Sequence, residues 1–190
     1  MNSKSSTTIA VCETYGKNNI KRIKNPKGST TITVCETYGE NKMSTYTQIY
    51  YHIVFSTKHR KPTLNSEHED ELYKYIWGII KNKKCTLYRI NGMPDHLHIF
   101  TSLHPTVRLS DLVKDIKVAS NLWMKQNGLF PEFEEWQEGY GAFTYCIRDK
   151  EMIINYIKNQ KKHHHAEDFE SEYRRLLLEN EIEFDEKYFL

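Results

Sequence analysis

The chain has 190 residues, a formal net charge of +2 at neutral pH and a mean hydropathy of −0.71. This length fits one domain with an appendage, and the small net charge means that any DNA contact needs a local basic patch. The sequence has no apolar run that could span a membrane, no charged-then-apolar leader and no C-x-x-C pair among its four cysteines. We therefore expect a soluble cytoplasmic protein with reduced thiols and no membrane partner.

The first 42 residues contain a duplication. The segment STTIAVCETYG at 6–16 recurs as STTITVCETYG at 29–39. Two copies are too few for a solenoid, and a two-stranded hairpin alone is marginally stable. We expect residues 1–42 to be an extension that is disordered or not native, with Met43 as the native start and residues 43–190 as the folded domain.

From Met43 onward, hydrophobic periodicity and turn residues predict the order βαββαβ. The strands are expected at 45–56, 86–90, 96–102 and 141–146, and the helices at 66–81 and 110–126. Asn65 or Ser66 is the expected cap of the first helix, Ser110 that of the second, and residues 91–94 the turn between the middle strands. This order predicts an α+β, ferredoxin-like antiparallel sheet with helices on one face and the other face open.

Two further helices are expected after the fourth strand. The first covers 151–165, and the second is an acidic, leucine-rich helix at 169–180 followed by an extended tail. The first carries Tyr156 and Gln160, which are four residues apart and therefore share one helix face. A phenol with an amide carbonyl one turn later offers a nucleophile beside a ligand for a hard cation, although a helical tyrosine can equally be a packing residue.

The run Pro94-Asp95-His96-Leu97-His98-Ile99-Phe100 carries two histidines one residue apart. In a strand, His96 and His98 point to one face about 7 Å apart, while Leu97 and Ile99 point into a core. Two imidazoles so placed can reach one divalent cation, or they can be surface residues of a half-buried strand. Asp95 is a candidate acceptor for an imidazole, but strand alternation would place it on the opposite face.

Several segments occur in the order found in one family. These are QIYYHIVF at 48–55, NGMPDHLH at 91–98, WQEGYGAF at 136–143 and YIKNQ at 156–160. From Met43 to the C-terminus the chain resembles the single-tyrosine HUH transposases, which move small insertion sequences as single-stranded DNA and have domesticated, palindrome-associated relatives. The resemblance shows no departure at the catalytic positions.

The resemblance implies a metal-dependent strand transferase. Tyr156 would be the nucleophile that forms a 5′-phosphotyrosine link, and His96, His98 and Gln160 would hold Mg²⁺ or Mn²⁺. Expected partners are hairpin-bearing single-stranded DNA and a second copy of the chain, with the site of one subunit completed by its partner in some family members. The candidate DNA-binding side chains are Lys158, Lys161, Lys162, His52, Lys58 and Arg60. The base that activates the tyrosine is not identified.

Three alternatives share much of this pattern. A domesticated hairpin-DNA endonuclease or strand transferase would contain every residue used above. A metal-dependent hydrolase would use activated water and tolerate loss of the Tyr156 hydroxyl. A non-catalytic ferredoxin-like module would bind single-stranded nucleic acid through surface aromatics, although the strands lack such a motif.

Overall fold

The computed structural model describes residues 23–24, 30–31, 46–163, 168–186 and 189, with the side chains of 23–24, 30–31 and 162–163 excepted. The chain divides into two compact units, Met1–Ser44 and Thr45–Leu190. In the first unit, β1 (Ile23–Lys24) pairs antiparallel with β2 (Thr30–Thr31). The rest of the duplication lies outside the described residues. No helix in the described part of the chain has both the length and the apolar character needed to cross a bilayer.

The second unit follows the predicted order βαββαβ. Its elements are β3 (Tyr50–Ser56), α1 (Glu69–Asn82), β4 (Thr86–Met93), β5 (His96–Ser102), α2 (Leu109–Asn127), β6 (Gly141–Tyr145), α3 (Lys150–Lys158), α4 (Gln160–His163) and α5 (Phe169–Glu179). The four strands form one sheet in the order β4-β5-β3-β6, and all neighbours are antiparallel. This is the predicted α+β class, with β3 and β5 at the centre of the sheet.

One face of the sheet packs against α1 and α2. Ile53 and Phe55 of β3 and Leu97 and Ile99 of β5 are essentially fully buried there. The two helices contribute the buried side chains Leu72, Ile76, Ile80, Leu112, Val113, Ile116 and Met124. Their spacing of three or four residues gives each helix one apolar stripe, which explains why both lie on this face.

The opposite face is also covered, so the expectation of an open face is wrong. Val54, Phe100 and Phe143 project from this face and are buried. Helix α3 covers it with Ile153 and Ile157, and α5 covers it with Phe169, Tyr173, Leu176 and Leu177. Exposed apolar surface on three strands is costly, and two amphipathic helices remove it from water.

Several predicted boundaries differ from the observed ones. The Asn65 side chain accepts a hydrogen bond from the Glu67 amide at 2.8 Å, so it closes a turn before α1. Helix α2 begins at Leu109, which makes Ser110 a helical residue rather than the cap. Asn91 is a strand residue paired with His98, and the turn lies at Pro94 and Asp95 instead.

Gly92 lies where the backbone of β4 closely approaches that of β5. A Cβ atom on Gly92 would lie 2.2 Å from the His96 carbonyl oxygen and 2.7 Å from Leu97 Cδ2. Because the first of these atoms is backbone, we predict that Gly92→Ala lowers the free energy of unfolding by about 2 kcal/mol, measured by urea denaturation. Gly78→Ala in α1 is the matched control, since a Cβ there meets nothing within 4 Å and helix propensity favours alanine by up to ~1 kcal/mol. A Gly92→Ala protein as stable as the parent would contradict the close approach.

Candidate functional site

The two histidines lie side by side on the central strand, beneath α5. His96 and His98 alternate with Leu97 on β5, and both are fully buried on the face opposite α1 and α2. The Nδ1 atom of His96 is 2.7 Å from Asp95 Oδ1, and that of His98 is 2.9 Å from His52 Nε2. Asp95 reaches His96 because it belongs to the turn before β5, so the expected obstacle of strand alternation does not apply. Each imidazole therefore has its Nδ1 held and its Nε2 directed toward α5.

Helix α3 brings Tyr156 to the same face. The Tyr156 ring centroid is 6.2 Å from that of His98 and 6.1 Å from that of His52. Asn91 on β4 donates hydrogen bonds to the carbonyl oxygens of Ile157 (2.8 Å) and Lys158 (3.3 Å). This side chain satisfies carbonyls at the end of α3 and ties the tyrosine helix to the sheet.

The single helix expected over 151–165 is divided at Asn159 into α3 and α4. The Asn159 side chain donates to the Asn155 carbonyl oxygen at 2.9 Å, an oxygen that also accepts from the Asn159 backbone amide. Such a local side-chain bond competes with regular helical pairing. Gln160, which begins α4, is nevertheless fully buried and donates a hydrogen bond to Glu172 Oε1 at 2.8 Å.

Sequence analysis missed Glu172 on α5. Its carboxylate is 2% exposed. Oε1 accepts hydrogen bonds from the Tyr156 hydroxyl and from Gln160 Nε2, the latter at 2.8 Å. Oε2 lies 3.6 Å from His96 Nε2 and 3.5 Å from His98 Nε2. A signal was present in the sequence, since Glu172 falls on the same helical stripe as Phe169, Tyr173 and Leu176 and is therefore a charged residue in an apolar pattern.

Burial keeps this cluster in definite protonation states. Desolvation lowers the pKa of His52 well below its usual value and that of His96 to about 4, with the Asp95 hydrogen bond partly opposing the second shift. Both imidazoles are therefore neutral at pH 7, the form that binds metals. Burial, and after it the Glu172 carboxylate, raise the pKa of Tyr156, while Arg175, which donates to the phenol oxygen at 3.1 Å, lowers it. The phenol is protonated in this arrangement.

The cluster fits a divalent cation. Among the described residues, potential ligand atoms of His96, His98 and Glu172 all lie within 4.8 Å of one another. His98 Nε2 and Gln160 Oε1 are buried and have no hydrogen-bond partner in the described part of the chain. Imidazole nitrogens with carboxylate or amide oxygens form a donor set typical of first-row transition ions, and Mg²⁺ or Mn²⁺ accepts the oxygen ligands.

The predicted DNA-binding residues are scattered over the surface and interior. Lys58 pairs with Glu135, Arg60 with Glu170 at 2.7 Å, and Lys161 with Glu69. Lys158 is exposed two residues after Tyr156 and therefore on another side of α3, and the Lys162 side chain lies outside the described residues. His52 is fully buried and bonded to His98, a position suited to holding an imidazole rather than touching DNA in this conformation.

The antiparallel sheet, the histidine pair on its central strand and Tyr156 on α3 are the features in which this chain resembles single-tyrosine HUH transposases. Residues 45–160 match the family model described as IS200-like transposase. The chain therefore belongs to the IS200-like transposase family, and membership implies a DNA-cleaving enzyme.

Individual relatives extend over most of the second unit. The ISDra2 transposase TnpA of Deinococcus radiodurans is 28% identical over 120 residues, which cover 60% of this chain and 84% of that protein. A crystal structure of a candidate transposase from Deinococcus radiodurans is 27% identical, with a TM-score of 0.49 over 62% of this chain and 95% of that one. A REP-associated tyrosine transposase bound to a REP hairpin is 16% identical, with a TM-score of 0.48 over 65% and 75% of the two chains.

Proposed function

We propose that this protein cuts and rejoins single-stranded DNA at hairpin-marked ends through a 5′-phosphotyrosine intermediate formed on Tyr156. The observation that carries the proposal is the shared hydrogen-bonded cluster. The Tyr156 hydroxyl, the Gln160 amide and the face of the sheet that holds His96 and His98 all meet at the Glu172 carboxylate. A tyrosine with only a packing role would not need its hydroxyl next to a buried carboxylate and two buried imidazoles.

The reaction exchanges one phosphodiester for another. The Tyr156 oxygen attacks the scissile phosphorus, the bond from phosphorus to the 3′-oxygen breaks, and the phenol proton ends on the released 3′-hydroxyl. The phosphate stays on the 5′ side, joined to Tyr156. A different 3′-hydroxyl can then attack the phosphotyrosine and release the phenol, which rejoins the strands without ATP because each step conserves the number of ester bonds.

The chain's own groups manage the proton and the charge. Arg175 donates a hydrogen bond to the Tyr156 oxygen and would stabilise a developing phenolate. Glu172 accepts a hydrogen bond from the Tyr156 hydroxyl and so orients its proton toward the carboxylate. Mg²⁺ or Mn²⁺ held by His96, His98 and the Gln160 region would act as a Lewis acid on the scissile phosphate. His52 and Asp95 fix the orientation of the two imidazoles for that task.

DNA contacts are proposed on the tyrosine side of the domain. Lys158 is exposed in the last turn of the tyrosine helix, and Lys161 follows on α4, where it pairs with Glu69 at the surface. Exposed ion pairs are weak and salt-sensitive, so phosphates can compete for such a lysine. We propose hairpin recognition on the basis of the family resemblance. Proteins that bind single strands commonly use basic grooves and aromatic stacking, which is consistent with this proposal.

Covalent capture tests the role of Tyr156. We predict that incubation with end-labelled hairpin DNA from the flanks of the gene, with Mg²⁺ or Mn²⁺, gives an SDS-resistant protein–DNA adduct on a denaturing gel. Tyr156→Phe should abolish both the adduct and cleavage, since it removes only the hydroxyl. Tyr145→Phe is the matched control, because Tyr145 is a partly buried tyrosine on the same face whose ring lies 6.2 Å from that of His52. Cleavage that survives Tyr156→Phe would favour the water-using hydrolase and overturn the proposal.

Contacts within one chain support a site formed by that chain alone. The Tyr156 ring lies 6.2 Å from that of His98, Gln160 donates to Glu172, and Asn91 bonds to the tyrosine helix. The family resemblance also implies a homodimer, which this arrangement accommodates without exchanging helices. We therefore propose a dimer in which each subunit contains its own catalytic tyrosine.

Mixing two inactive proteins separates the two arrangements. We predict that Tyr156→Phe and His98→Ala proteins, unfolded together and refolded as a mixture, remain inactive toward hairpin DNA, because no subunit then contains both groups. Recovery of roughly a quarter of parental cleavage would show that the tyrosine of one subunit serves the histidines of the other. Parental protein treated in the same way is the control for refolding.

A further inference from the structure

Glu172 is a buried acid on a helix face that otherwise covers the sheet with apolar side chains. Its helix α5 lies over the sheet through Phe169, Tyr173, Leu176 and Leu177, and the Phe169 ring stacks on that of His96 at 4.1 Å between centroids. At the centre of that contact Glu172 is 2% exposed. An apolar residue would cover the sheet equally well, so the acid needs another explanation.

The distances around Oε2 match a coordination sphere better than a hydrogen bond. Oε2 is nearly equidistant from His96 Nε2 and His98 Nε2, at 3.6 and 3.5 Å. Hydrogen bonds between nitrogen and oxygen cluster near 2.9 Å, and these two distances are well beyond that value. Neighbouring ligand atoms bound at about 2.1 Å lie about 3.0 Å apart on an octahedral ion and about 3.4 Å apart on a tetrahedral one, so a small inward movement brings the observed separations to those of a shared octahedral ion.

The atoms that would not bind an ion are held by other groups. His96 Nδ1 contacts Asp95, and His98 Nδ1 contacts His52. Glu172 Oε1 accepts from Gln160 Nε2 and from the Tyr156 hydroxyl. His98 Nε2, fully buried, has no hydrogen-bond partner within the described ranges. Such outer partners commonly fix the orientation of metal ligands.

We infer that Glu172 is a further protein ligand of the divalent ion, alongside the Nε2 atoms of His96 and His98. Gln160, the ligand expected from the family resemblance, holds Glu172 through its amide nitrogen, and its Oε1 is buried with no hydrogen-bond partner among the described residues and so stays available to the same ion. The inference rests on the metal dependence in the proposed function and changes its donor set from neutral to singly negative. A carboxylate strengthens binding of a hard or borderline cation, and here it also links the ion to the hydroxyl of the nucleophile.

Mn²⁺ binding, followed by the electron paramagnetic resonance signal of the free ion, tests this directly. Glu172→Gln preserves the side-chain volume and an acceptor for Tyr156 but removes the negative charge. We expect the dissociation constant for Mn²⁺ to rise at least tenfold. Gln160→Ala should weaken binding less. Glu170→Gln is the matched control on the same helix, since Glu170 is 48% exposed in its side chain and pairs with Arg60; its affinity should equal that of the parent.

The outcomes separate this inference from the function on which it rests. Glu172→Gln binding within twofold of the parent overturns Glu172 as a ligand while leaving the metal site intact. If His98→Ala also binds like the parent, the metal site itself fails. Thermal melts followed by circular dichroism check that each variant folds. If Glu172→Gln does not fold, Glu172→Asp replaces it, because aspartate keeps the charge on a shorter side chain. We expect Glu172→Asp to bind Mn²⁺ severalfold more weakly than the parent. Parental affinity in Glu172→Asp would then overturn the inference.

Discussion

The central position of β5 in the sheet is the constraint on which the rest of the site depends. A strand with neighbours on both sides has a fixed register, and its alternation sends Leu97 and Ile99 to the α1–α2 core while His96 and His98 go to the other face. A slip of one residue would bury both histidines in the apolar core. The same alternation on β3 places His52 on the histidine face, and cross-strand pairing opposes His98 to Asn91, which holds the tyrosine helix.

The second constraint is the closure of that face by α5. Phe169, Tyr173 and Leu176 supply the apolar cover, and Glu172 supplies an anionic group in contact with both Tyr156 and the histidines. Burial then lowers the pKa of His52 and His96 and raises that of Tyr156, so the imidazoles remain neutral and the phenol remains protonated. Helix α5 therefore affects the site in two ways. It buries the histidines and Tyr156, and its Glu172 carboxylate sets the charge beside them.

Local patterns in the sequence were enough to predict the order of the elements and the shared face of His96 and His98. These features depend on period and spacing alone. The apolar stripe of α5 marks Glu172 as an acid on a buried helix face, but its contact with the histidines depends on which face of the sheet α5 covers, a long-range packing choice that no local pattern encodes. The contact between Asp95 and His96 was discounted because strand geometry was extended one residue too far, into a turn. Asn91 was assigned to a turn for the related reason that asparagine before glycine favours one, and strand pairing overrode that preference.

The most direct test of the account is the position of a bound ion. Crystals grown with Mn²⁺ should give an anomalous difference peak on the histidine face of the sheet, at about 2.2 Å from both His96 Nε2 and His98 Nε2 and within bonding distance of a Glu172 oxygen. A peak at that position would make the histidine pair a metal site beside the Tyr156 nucleophile. Anomalous peaks only at other positions, with none between His96 and His98, would contradict the central claim that these residues form a metal-dependent strand-transfer site.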